Sequence, residues 1–172
     1  MSIAWGITGA GHFLAECVDL ILELEEVDVF ISKAGEEVLR MYRLDDALPK
    51  VKGAVVGDTR ASAPVVGRFA KSRYSALVIA PATSNSVAKF VCGISDSLIT
   101  NLFAQGGKHR VPIAVLPTDI APEMDSLSPR GRAIKVYPRP VDLESIAKLE
   151  EFPGVRVMKD VEELREWLAT FL

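Results

Sequence analysis

Five consecutive residues, Pro81-Ala82-Thr83-Ser84-Asn85, gather the groups in this chain best suited to holding a ligand. They follow Ala76-Leu77-Val78-Ile79-Ala80, a short apolar run rich in strand formers and of the length of a buried strand. The run after them, residues 86–100, reads as helix, with Val87, Ala88, Val91 and Ile94 on one face. The tip therefore presents two hydroxyls, an amide and the free N–H groups of a helix start at the carboxyl end of a strand. Such donors suit a polar, planar or anionic ligand. A Pro-Ala turn with an ordinary Ser N-cap would look the same locally.

Two further stretches narrow the ligand. A dinucleotide site asks for Gly-x-Gly-x-x-Gly in the first strand-to-helix turn and an acid at the end of the second strand for the ribose diol. Here Gly9-Ala10-Gly11 is followed by Leu14 where the third glycine belongs, and the second strand ends Ile31-Ser32-Lys33. A hydroxyl and a cation suit a phosphate and leave a ribose diol without its acceptor, so NAD fails at two independent positions. A mononucleotide fits better. Gly9 and Ala10 allow close backbone approach, and Ser32 with the helix after it supplies donors to one phosphate. Taken alone, Ser32 is equally an N-cap and Gly9 equally a tight turn.

The elements that must position these groups alternate along the chain. Residues 3–8 read as a first strand, 12–24 as a helix with Phe13, Cys17, Leu20 and Leu24 inward, and 27–31 as a second strand. Helices are expected at 34–42 and 65–73, then the strand 76–80, helices to Gln105, a break at Gly106-Gly107 and a strand at 111–116. The stretch 117–132 holds Pro117, Pro122, Pro129 and Gly131 without periodicity and reads as an irregular functional or interface arm. Short strands at 133–137 and 155–158 flank a helix capped by Asp142. The last helix opens with Asp160-x-x-Glu163 and turns Val161, Leu164, Leu168 and Phe171 inward. Strands alternating with helices imply a single α/β domain over 1–172, a Rossmann-like (flavodoxin-like) three-layer sandwich with a mostly parallel sheet.

Bulk properties exclude several classes. At 172 residues the chain suits one domain, and 49% apolar content with a mean hydropathy of +0.22 is high for a monomer. No apolar run approaches the ~18 residues of a membrane span, so the surplus points to subunit contacts. A net charge of −3 argues against nucleic acid as a partner. The start Met1-Ser2-Ile3-Ala4-Trp5 lacks a basic region and a cleavable apolar segment, so a cytoplasmic setting is expected. Cys17 and Cys92 fall in expected helices without CxxC or Cys/His grouping, which leaves no zinc site or disulfide framework. Cys17 reads as core, Cys92 as a neighbour of the ligand loop or a subunit contact. His109, in Gly106-Gly107-Lys108-His109-Arg110, reads as a solvated loop residue.

Pro-Ala-Thr-Ser-Asn, then Ala88-Lys89, Gly93-Ile94-Ser95-Asp96 and Leu98-Ile99-Thr100, resembles the flavin-containing cysteine decarboxylase superfamily. That group includes phosphopantothenoylcysteine decarboxylases, flavin prenyltransferases and lantibiotic decarboxylases. The resemblance implies FMN as cofactor, contacts at Gly9, Ala10, Ser32, Pro81, Thr83, Ser84 and Asn85, and assembly built from trimers. The decarboxylases carry a histidine before the Pro-Ala-Ser strand and Pro-x-Met-Asn after the next one. This chain has no histidine between Asp58 and Ala76 and reads Pro117-Thr118-Asp119-Ile120. The arginine-glutamate pair of flavin prenyltransferases is absent too.

An FMN cradle without the decarboxylase apparatus remains. The stretches 4–12 and 32–42 with Pro117-Thr118-Asp119 resemble the archaeal flavoproteins and related dihydromethanopterin reductases. The resemblance implies an FMN-dependent oxidoreductase reducing a dihydropterin such as dihydromethanopterin, with a ferredoxin-type or nicotinamide donor. A pure electron carrier, an FMN-dependent decarboxylase of the phosphopantothenoylcysteine decarboxylase type and a flavin prenyltransferase-like enzyme are the alternatives. His12, just past the glycine loop, and Asp119, facing a pterin ring, are the catalytic candidates. Arg130, Arg132, Lys135 and Arg139 form a basic cluster that could dock an acidic carrier such as a ferredoxin.

Overall fold

The computed structural model describes residues 2–58 and 63–172. Its first half runs β1 (Ser2–Ile7), α1 (Leu14–Glu23), β2 (Val27–Ile31), α2 (Lys33–Met41), a 3-10 turn at Asp45–Lys50, β3 (Val55–Gly57), α3 (Ala63–Ala70) and β4 (Tyr74–Ala82). Next come α4 (Ser84–Val91), α5 (Leu98–Lys108), β5 (Ile113–Pro117), β6 (Met124–Leu127), β7 (Ala133–Val136), α6 (Pro140–Glu150), β8 (Val155–Val157) and α7 (Val161–Leu168).

Six strands pair in the order β3-β2-β1-β4-β5-β8, every pair parallel. The alternation of β1 explains the layers. Ile3, Trp5 and Ile7 face one apolar cluster with Leu14, Cys17 and Ile21 of α1 and Leu164 and Leu168 of α7. Ala4 faces the other, with Val87 and Phe90 of α4 and Leu98, Ile99 and Leu102 of α5. Nearly continuous burial along β1, β2, β4 and β5 follows from helices on both faces. The result is the expected Rossmann-like three-layer sandwich.

Four local expectations are corrected. The arm 117–132 is not wholly irregular, because Met124–Leu127 pairs antiparallel with Ala133–Val136, Ser126 opposite Ile134. Gly131, at φ 73°, lies in the turn of that hairpin. The helix after the 81–85 tip stops at Val91 in a Schellman closure. There the Ile94 N–H donates to the Lys89 carbonyl at 2.9 Å and the Gly93 N–H to Phe90 at 3.2 Å, which leaves Ile94 and Cys92 exposed. Conversely α5 runs straight through Gly106-Gly107. A Cβ on Gly106 would come within 2.9 Å of Leu77, so glycine there lets the helix lie close to the sheet. Asp142 is not the cap of α6 but lies inside its first turn, and its carboxylate accepts from the Arg139 N–H at 2.9 Å. In α7, Leu164 and Leu168 are buried as expected, Val161 and Phe171 only half-buried. Cys17 is core.

Candidate functional site

The winding of the sheet reverses between β1 and β4, and the loops leaving their carboxyl ends part there. After β1 the chain must pass close to the start of α2. A Cβ on Gly9 would stand 2.5 Å from the Ala34 Cβ, so the turn needs glycine. The buried Thr8 hydroxyl donates to the Pro81 carbonyl at 2.8 Å and accepts from the Thr83 N–H at 2.9 Å, locking this loop to the tip after β4. Thr83 caps α4, its hydroxyl accepting from the Ser86 N–H. Ser84 donates to the Asp119 carboxylate, which brings in the loop after β5.

Ser32 caps α2, accepting from the Gly35 N–H at 2.9 Å. A hydroxyl used as acceptor still has its own O–H to give. The first N–H groups of α2 and α4 have no partner inside their helices, so two helix starts open on the same edge of the sheet.

These loops form one side of a cleft of about 380 Å³, and the β6–β7 hairpin forms the other. Gly9, Ala10, Gly11, His12, Thr83, Thr118 and Asp119 line the first side; on the second, Met124, Leu127, Ile134 and Val136 stand beside Asp125, Ser126 and Ser128. The Tyr42 hydroxyl donates to the Leu127 carbonyl at 2.8 Å and so ties the hairpin to the end of α2. The ring of His12 lies 4.0 Å from that of Phe13, which takes a left-handed backbone at φ 64°. Burial holds the His12 imidazole below the usual histidine range, while Glu16 and Asp119 pull it the other way. It is therefore neutral at pH 7, with one nitrogen to donate and one to accept.

Of the residues singled out from sequence, Gly9, Ala10, His12, Thr83 and Asp119 meet in this cleft, and Ser84 reaches it through Asp119. Pro81 is buried at the end of β4, Asn85 is exposed in the first turn of α4, and Ser32 stands at the α2 start beside the glycine loop. The strand expected at 133–137 is present as β7, but its partner β6 and the role of Tyr42 were not legible. A four-residue strand carrying Asp125 and Ser126 has no apolar alternation to announce it. The expected basic cluster is divided by its neighbours. Lys135 pairs with Glu123 at 2.5 Å and Asp125 at 3.5 Å, and Arg139 with Asp142 at 2.7 Å. His109 is exposed, as expected. Among the described residues no cluster of His, Cys, Asp and Glu could hold a metal, and no helix is long and apolar enough to cross a membrane.

Comparison with known proteins places this geometry. Residues 1–167 match the family model described as Flavoprotein. The chain is 46% identical over 164 residues to the dihydromethanopterin reductase (acceptor) of Methanosarcina mazei, covering 88% of this chain and 65% of that one. It thus spans just under two-thirds of that relative's length. An uncharacterised protein of Methanocaldococcus jannaschii is 33% identical, covering 96% of this chain and 93% of its own. DmrB of Burkholderia xenovorans, solved in complex with FMN and described as a cubic protein cage for redox transfer, superposes with a TM-score of 0.89 at 37% identity over 99% of this chain and 94% of that one. A dodecameric FMN-dependent decarboxylase of Escherichia coli, at 14% identity and a TM-score of 0.71, shares the fold alone.

Proposed function

The chain belongs to the flavoprotein family, and from that premise we propose that it binds FMN at the β1–β4 switch point and reduces a dihydropterin such as dihydromethanopterin. The observation that carries this reading is the donor set. Thr83 at the capped start of α4 and the glycine loop line a cleft whose far wall mixes Met124, Leu127, Ile134 and Val136 with Asp125, Ser126 and Ser128, and the capped start of α2 stands beside the glycine loop. That set fits a phosphorylated, planar cofactor. Ser32 and the first N–H groups of α2 receive the phosphate, with Lys33 adding charge. Gly9 and Ala10 would admit the cofactor to the backbone, and the 81–85 tip, with Thr83 on the cleft and Pro81, Ser84 and Asn85 around it, would hold its ring. Bound FMN supplies the redox chemistry, accepting electrons and passing them on.

The chain's own residues bind and orient. Ser84 fixes the Asp119 carboxylate, which can then accept from an N–H-rich heterocycle. Neutral His12 can donate a hydrogen bond from one ring nitrogen and accept one, or take up a proton, at the other. Met124, Leu127 and Val136 exclude water from the open face of the cleft. The name and 46% identity of the Methanosarcina mazei relative support a pterin as acceptor. A ferredoxin-type or nicotinamide donor, a cytoplasmic setting and an assembly built from trimers complete the reading. Decarboxylation is disfavoured by Pro117-Thr118-Asp119-Ile120, where Asp119 and Ile120 stand in place of the Met-Asn pair: no amide is left to hold a substrate carboxylate, and the Asp119 carboxylate repels one.

The experiment is direct. Purified protein is loaded with FMN, reduced anaerobically by candidate donors, then mixed with dihydromethanopterin. Reoxidation of the flavin with formation of the tetrahydropterin is expected. Colourless protein that refuses FMN, or carbon dioxide release from phosphopantothenoylcysteine without flavin reduction by any donor, would overturn the reading.

A further inference from the structure

Behind Tyr42 lies a second hollow, adjoining the first cleft. It measures about 720 Å³ and is lined by Met41, Tyr42, Arg43, Ser128, Pro129 and Arg130. Tyr42, Ser128 and Pro129 also line the first cleft, so the two cavities adjoin along the seam that the Tyr42–Leu127 hydrogen bond closes. Arg43 and Arg130 are its charged groups, one at the end of α2 and one on the hairpin turn, hence on opposite walls. Neither has an ion-pair partner among the described residues, whereas the nearby Lys135 and Arg139 both do. The end of α2 does favour a cation, but Arg40 already stands in its last turn. Two uncompensated guanidinium groups facing a concave surface are the complement of an oxyanion.

We propose that this hollow binds an anionic group, phosphate or carboxylate, at the far end of the acceptor whose reacting ring occupies the first cleft. The inference rests on the redox reading of that cleft. A hollow sharing a wall with the first cleft favours the tail of one small molecule over an acidic protein, which would need no concavity.

The test uses FMN-loaded protein, so that the donors of the α2 start are already occupied. Inorganic pyrophosphate, titrated calorimetrically, is expected to bind at about one per subunit, more weakly as salt rises. Arg43→Gln with Arg130→Gln should weaken it about tenfold or more. The same double variant should lower, by about tenfold, the kcat/KM ratio of an anionic-tailed dihydropterin over 6-methyldihydropterin. Thermal melting of the variant checks that the fold is intact. Pyrophosphate that does not bind, or binds the double variant equally well, overturns the inference. So does a double variant that raises the KM for reduced ferredoxin while leaving the pterin ratio alone, which would make this a protein dock. If neither pterin is reduced, the redox reading fails, and the calorimetry still decides the anion site.

Discussion

The side chain of Thr8 holds Thr83 in place. Its hydroxyl accepts from the Thr83 N–H at 2.9 Å while donating to the Pro81 carbonyl at 2.8 Å. One buried oxygen thereby sets the spacing between the glycine loop after β1 and the tip after β4, the two halves of the polar side of the cleft. Neither residue's neighbours in sequence announce this, since 75 positions separate them.

Replacing Thr8 by valine keeps the shape and removes both bonds, stranding the Thr83 N–H. A loss of about 1–3 kcal/mol is expected for a part-buried donor left without its partner. Urea unfolding of Thr8→Val should show it as a lower midpoint at unchanged slope. FMN affinity should fall with it, because the loop and the tip would no longer keep their spacing.

Gly9→Ala is expected to destabilise by about 1–3 kcal/mol, through overpacking against α2. The added carbon would stand 2.5 Å from the Ala34 Cβ, far inside contact distance. Ala34→Gly in the same chain removes the clashing methyl. The double variant should therefore be more stable than Gly9→Ala alone, a non-additivity that denaturant unfolding measures.

Legibility in the sequence followed locality. β1, β2, β4 and β5 are long apolar runs, and α7 announces itself by Asp160 and Glu163, so these stood out. β3 is three residues long and β6 carries Asp125 and Ser126, so neither has a pattern to read. Gly106 looked like a break because glycine frees the backbone, yet its use is to let Leu77 and Ile113 come close. The polar side of the cleft lies at strand ends, where turn residues mark it. The facing side is a hairpin brought over by Tyr42, a contact spanning 85 positions that no local pattern encodes.

At the opposite end of β2 the Asp28 carboxylate, nearly buried, accepts from the Tyr74 hydroxyl at 2.8 Å and pairs with Arg68 and Arg73 at 3.1 Å each. Burial, helped by Asp28, pushes the Tyr74 phenol up to about 12. The folded value exceeds the unfolded one of about 10. The associated stability is therefore full below about pH 10 and is lost as pH climbs through about 12. Tyr74→Phe should lower stability at neutral pH by about 1–2 kcal/mol. It should also flatten the alkaline decline relative to the parent, read by unfolding from pH 8 to 12.

His12 behaves in the opposite sense. Its folded pKa is depressed by burial, so the unfolded chain takes up protons first as pH falls. The stability it contributes is present above about pH 6.5 and drains as pH drops through the lower folded value. His12→Gln, which keeps a donor and an acceptor but cannot charge, should remove that acid-side slope. Unfolding curves between pH 5 and 7.5 for the two proteins test this. Parallel curves would mean that the His12 ring is solvated.

Ser32 separates a structural role from a binding one. Its hydroxyl caps α2 through the Gly35 N–H, and aspartate caps a helix as well as serine does. Ser32→Asp should therefore leave the melting temperature close to that of the parent. Ser32→Ala, with no cap, should lose about 1 kcal/mol. FMN binding should rank differently. Alanine only withdraws one donor, whereas aspartate sets a negative charge against the phosphate and should weaken FMN by about tenfold or more. Fluorescence-quenching titration of FMN against the three proteins reads this order. If the aspartate variant binds FMN as tightly as the parent, the phosphate lies away from the α2 start, and Ser32 is a helix cap and nothing more.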